Sequence, residues 1–115
     1  MKVRYTLKKN SDFRRLYAKG KSAASPYLVV YCRKNRLDHN RTGYTVSTKL
    51  GHAVVRNRVR RRLREIVRLN AAAVKPGFDL VIVARSRAVG AEYRRLEQSY
   101  LTLCGKLGIL QEKTE

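Results

Sequence analysis

Residues 51–66 read GHAVVRNRVRRRLREI, and six of the nine positions from Arg56 to Arg64 are arginine, with no acid between them. A helix made from this stretch buries Val55, Val59, Leu63 and Ile66, which recur at helical spacing, and leaves guanidiniums outside. Asn57, Arg60, Arg61, Arg64 and Arg68 fall on the face opposite that apolar stripe. Arg56 and Arg62 flank it, where their stems can cover apolar surface while their charged heads stay wet. An ordinary solvated face alternates sign, because like charges four residues apart weaken a helix by about 0.2–0.5 kcal/mol per pair. Here acids are absent from His39 through Arg64, so Arg56/Arg60 and Arg60/Arg64 repel without compensation. Such a face calls for a polyanion, and arginine's planar fork suits phosphate and stacks on bases.

The charge of the whole chain follows the same bias. Twenty-seven Lys and Arg stand against eight Asp and Glu, a net charge of +19. From Ala88 onward four bases (Arg94, Arg95, Lys106, Lys113) meet four acids (Glu92, Glu97, Glu112, Glu115), so the excess lies in the first 87 residues. That asymmetry points to nucleic acid or an anionic membrane surface. Membrane is the weaker option, since no apolar run approaches the ~20 residues that span a bilayer. The opening MKVRYTLKKNSDF lacks the apolar middle of a signal peptide, which reads as a cytoplasmic protein. Cys32 and Cys104 have neither zinc-site nor disulfide-framework spacing and read as buried thiols. At 115 residues, 43% of them hydrophobic, the chain reads as a single domain over residues 1–115.

Local patterns give the element order. Asn10 or Ser11 can cap a helix carrying Phe13, Leu16 and Tyr17 on one face, with Gly20 as its stop. After Ser25-Pro26, YLVVYC reads as a strand whose Leu28, Val30 and Cys32 face one way and Tyr27, Val29 and Tyr31 the other. A polar loop spans Arg33 to Asn40. In RTGYTVST, Tyr44 and Val46 alternate with Gly43, Thr45 and Ser47, a strand with one polar face. Gly51 breaks it, and the arginine helix runs from about His52 to Asn70. Pro76-Gly77 turns into the apolar strand FDLVIVA, and a last helix carries Leu96, Tyr100, Leu103 and Leu107. The result is an α+β domain, with helices packed on one small mixed sheet.

Strand-like segments flank the arginine helix on both sides, which argues against a helix-turn-helix reader of duplex DNA. A structured RNA, with phosphates crowded at junctions, fits better. If Leu28, Val30 and Cys32 meet the core, Tyr31 lies beside Thr45 and Ser47 on an open face, with Phe13 and Tyr17 close by. Aromatics among basic residues make a stacking platform for single-stranded nucleic acid. Phe13 and Tyr17 fit equally well as core residues holding the first helix, and a groove wall serves both roles. The acids Asp12, Asp38, Glu65 and Asp79 are scattered singly, and His39 and His52 have no partner at ligand or acid–base spacing. No catalytic centre and no protein metal site emerges from this pattern.

The block K-x-G-x-A-V-x-R-N-R-[IV]-x-R-x-[IL]-R-E, here Lys49 to Glu65, resembles the protein subunit of bacterial ribonuclease P. LKKNSDFRRLYAKG before it and DLVIVAR after it extend the likeness over about Leu7 to Leu107. His52 stands where asparagine is more usual, and Thr48 where lysine is frequent. The resemblance implies the order α-β-β-β-α-β-α, with a very short first strand near Ser22 to Ala24. It also implies a left-handed β-α-β crossover through the arginine helix, against the usual preference. It implies a catalytic RNA that binds Mg2+ and removes the 5′ leader of precursor tRNA. On this pattern Arg56, Asn57 and Arg58, continued by Arg60, Arg61, Arg64 and Arg68, meet the catalytic RNA. Phe13, Tyr17, Tyr31, Thr45, Ser47 and Lys49 match the cleft that holds the single-stranded leader. The rival readings are a ribosomal or general structured-RNA-binding protein and, more remotely, a stand-alone nuclease.

Overall fold

A computed structural model of the chain describes residues 5–111. Residues 1–4, part of the N-terminal stretch read above, and the acids Glu112 and Glu115 lie outside the described residues. Helix α1 (Asn10–Lys19) leads into β1 (Lys21–Ala24), β2 (Leu28–Lys34) and β3 (Arg41–Thr45). Then follow α2 (Ala53–Leu69), β4 (Phe78–Ala84) and α3 (Tyr93–Lys106), the expected α-β-β-β-α-β-α order. The sheet order is β1-β2-β4-β3. β2 pairs antiparallel with both β1 and β4, while β3 runs parallel to β4, so α2 is the crossover between parallel neighbours.

β4 is central and covered on both faces, which is why its sequence is a continuous apolar run and not an alternation. Leu80 and Ile82 face α2 and α3, packing with Leu28, Val30 and Cys32 of β2, Val59, Leu63 and Ile66 of α2, and Leu96, Tyr100 and Leu103 of α3. Val81 faces α1 and joins Leu7 and Leu16, with Phe13, Tyr31 and Val83 packed against them. Residues ahead of α1 also cover the outer edge of β3. Thr42 N–H donates to the Tyr5 carbonyl at 2.8 Å, and Leu7 N–H donates to the Thr42 carbonyl at 3.0 Å. That leaves less free edge for unwanted strand pairing. Behind β3, Arg41 grips the Asp79 carboxylate through Nε (2.9 Å) and Nη2 (2.7 Å), and Asn35 Nδ2 donates to the same carboxylate at 2.9 Å.

Two local expectations change, the N-cap of α1 and the place of Tyr27, while the Gly20 stop holds. Lys9, not Asn10 or Ser11, is the N-cap of α1, with the Asp12 and Phe13 amides bonded to its carbonyl, so the helix starts one position earlier. Gly20 ends α1 in an extended conformation, and its glycine is needed for room: a Cβ there would stand 2.6 Å from the Leu16 carbonyl oxygen. Tyr27 precedes β2, so strand alternation does not govern it, and it packs against the α2/α3 core and not with Tyr31.

Cys32 and Cys104 are free and buried. Burial pushes both thiols up, Cys104 to about 11. A thiol raised in the folded state contributes stability that is full below its ordinary value of 9.0 and is lost as pH climbs through that window toward about 11. Neither thiol is expected to react with a disulfide reagent in the folded protein near neutral pH, and both should react in urea. Rapid labelling of Cys104 without denaturant would contradict this packing.

Candidate RNA interface

α2 carries the charge because its apolar stripe is fully used: Val59, Leu63 and Ile66 are buried, and Val55 is half-buried over Gly51. Asn57, Arg58, Arg61, Arg64 and Arg68 are exposed on the other side. Arg56 and Arg62 flank the stripe as expected and are tied down. Arg56 Nε donates to the Gly51 carbonyl at 3.2 Å, and Arg62 Nη1 donates to the Ala91 carbonyl at 3.2 Å. Arg60 departs from the expectation of an outward position. It is half-buried, donates through Nη1 to Asn57 Oδ1 at 3.1 Å, and reaches the α1 side of the molecule. Among the described residues the ion pairs are His39–Asp38 and Arg41–Asp79, so no arginine of α2 has a carboxylate partner. The first turn of α2 also lacks an acid and a side-chain cap, so its leading amides have no side-chain acceptor from the N-cap.

The aromatic site forms where α1 crosses the sheet. Asn10, Phe13, Arg14 and Tyr17 lie at i, i+3, i+4 and i+7 of one helix face and, with Thr45 and Arg60, line an open cleft of ≈ 680 Å³. Gly43 sets its depth. A Cβ there would stand 2.5 Å from the Phe13 ring, so only glycine lets that ring settle on β3. Tyr17 is 42% exposed, and its hydroxyl bonds Thr45 Oγ1 at 2.7 Å, which fixes the ring plane. Tyr31 meets Tyr17 edge-on, with centroids 5.0 Å apart and planes at 78°. Tyr31 is half-buried and supports Tyr17, so Tyr17 offers the more open stacking surface.

Phe13, Tyr17, Tyr31 and Thr45 are therefore brought together. Ser47 and Lys49 are exposed further along the chain, where Ser47 Oγ accepts the Lys49 N–H at 3.2 Å and caps the single turn Thr48–Leu50. Asn10 and Arg14 escaped the sequence reading, although their spacing from Phe13 and Tyr17 carried the signal. Arg60 joins the two surfaces, being part of the arginine helix and of the cleft wall.

Residues 1–108 match the family described as Ribonuclease P. The chain belongs to the ribonuclease P protein family. It is 44% identical over 110 residues to the "Ribonuclease P protein component" of Alkaliphilus oremlandii (strain OhILAs), covering 96% of each chain. It is 45% identical over 104 residues to that of Clostridioides difficile (strain 630), covering 90% of this chain and 91% of the other. The fold superposes on the RNase P protein of Staphylococcus aureus with a TM-score of 0.86 at 34% identity, covering 95% of this chain and 100% of that one. On the RNase P protein from Thermotoga maritima the TM-score is 0.82 at 33% identity, covering 90% and 97%. Family membership makes the chain an RNA-binding subunit of a tRNA-processing endoribonuclease with an RNA partner. Among the described residues no helix is long and apolar enough to cross a membrane.

Proposed function

We propose that α2 docks on the catalytic RNA through Arg56, Asn57, Arg58, Arg61, Arg64 and Arg68, and that the cleft under α1 holds the 5′ leader of precursor tRNA. The RNA performs the hydrolysis, with Mg2+ held mainly by its phosphates, in the cytoplasm. The protein supplies cations where two polyanions meet and an aromatic surface for unstacked leader bases. One observation carries this reading: a row of arginines that has no carboxylate partner among the described residues adjoins an aromatic cleft, and Arg60 belongs to both. A general structured-RNA binder would need the basic row but not the cleft beside it.

Arg58→Ala, Arg61→Ala and Arg64→Ala change exposed side chains, so the fold should survive. Each is expected to weaken binding to the catalytic RNA and to flatten the slope of log affinity against log salt by somewhat under ~1 unit. Filter binding across a salt series measures both quantities. Slopes equal to wild type in all three variants would place this helix in solvent and end the docking model.

A further inference from the structure

We propose that a second cavity, between the outer edge of β3 and the C-terminal half of α2, takes one unstacked nucleotide of the bound catalytic RNA, base inward and phosphate on Arg64 and Arg68. This rests on the docking reading above and adds a base-binding site to it. The cavity measures ≈ 600 Å³, within the range that holds small-molecule ligands. Its inner walls are Thr42 and Tyr44 of β3, Leu80 of β4, Val67 of α2 and Tyr100 of α3, largely apolar surface with a few hydroxyls. An unstacked base needs this combination, a flat apolar slot with sparse polar groups to read its edge.

Thr42, only 5% exposed, puts a hydroxyl-bearing side chain in the cavity wall. The Arg64 guanidinium lies 5.9 Å from the centroid of the Tyr44 ring, so cation and aromatic plane meet at the mouth. Burial pushes the Tyr44 hydroxyl up to about 12 against the opposing pull of Arg64, which keeps it a neutral donor at physiological pH. Arg64 and Arg68 stand four residues apart on one helix face, placed to hold a phosphate between them. The one acid in the lining, Asp38, is engaged with the His39 ring at 2.8 Å. Because the mouth opens on the arginine row, the nucleotide comes from the docked RNA and not from a free pool.

The test uses the full chain, alone and with the catalytic RNA. Ala71, exposed at the mouth, can be changed to Phe to fill the cavity without altering charge. Thr42→Val keeps the shape of the strand and removes only the hydroxyl. With protein alone, at least one nucleoside 5′-monophosphate should shift the amide resonances of Thr42, Tyr44 and Val67, while ribose 5-phosphate should not. Ala71→Phe should abolish that response, and Thr42→Val should weaken it several-fold. In the complex, chemical probing should find one RNA base protected by wild type and released by Ala71→Phe. RNA affinity should fall by roughly 5-fold or more. Equal responses to ribose 5-phosphate and the monophosphates would overturn the base site. Undiminished binding of free nucleotide by the RNA complex would overturn RNA as its occupant. Failure of the wild-type chain to bind RNA would end the docking reading and the RNA occupancy together, with the monophosphate arm still reporting on the cavity.

Discussion

Purified protein in magnesium buffer, free of RNA, is expected to leave precursor tRNA uncut, and addition of the catalytic RNA to produce cleavage at the 5′ end of the mature tRNA. The reason lies in how the acids are used. Asp79 is held by Arg41 and Asn35, Asp38 by His39, and Glu97 by Asn70. Among the described residues no three His, Cys, Asp or Glu side chains converge as a hydrolytic metal site would require. End-labelled precursor on a sequencing gel reads the outcome directly. Site-specific cutting by RNA-free protein would overturn the division of labour between protein and RNA.

Tyr31→Ala separates the aromatic site from the charges. It removes the ring that supports Tyr17 from 5.0 Å away, and takes away no positive charge. In the reconstituted complex, affinity for precursor tRNA with a leader of several nucleotides should drop roughly 5- to 150-fold, the span of ~1–3 kcal/mol for base–aromatic stacking. Affinity for mature tRNA, which has no leader, should not change. Tyr31→Phe should be nearly silent, because it keeps the ring that meets Tyr17. Tyr17→Phe should fall between, since it keeps the ring but releases it from Thr45. Circular dichroism confirms folding of each variant. Equal weakening toward both tRNAs in folded Tyr31→Ala would rule out a leader cleft.

Much of this architecture was legible in the sequence because period and punctuation agreed. FDLVIVA is the strand Phe78–Ala84, and the arginine helix, read as His52 to Asn70, is Ala53–Leu69. The cleft residues Phe13, Tyr17, Tyr31 and Thr45 were also named, although strand alternation overstated the exposure of Tyr31. It could not foresee that α1 lies across that face and half-buries the ring. What stayed hidden depends on pairings between distant segments. Nothing local to TGYT says that the Phe13 ring settles on Gly43, or that residues near Leu7 cover the edge of β3. The cavity beside Arg64 is assembled from several separate stretches, so no motif could announce it. Arg60 looked outward on a helical wheel, but the wheel does not know that α1 stands beside it.

The position of β4 has a consequence for the order in which the molecule comes into being. β4 is the last strand in the chain yet lies between β2 and β3, which do not pair with each other. Until Phe78–Ala84 has left the ribosome, β3 lacks its long-range partner and α2 lacks most of the surface that orients it. Closing the sheet is a non-local event, slow by the measure of contact order. Through that interval the arginines of α2 already carry their charge without the closed sheet that sets their arrangement.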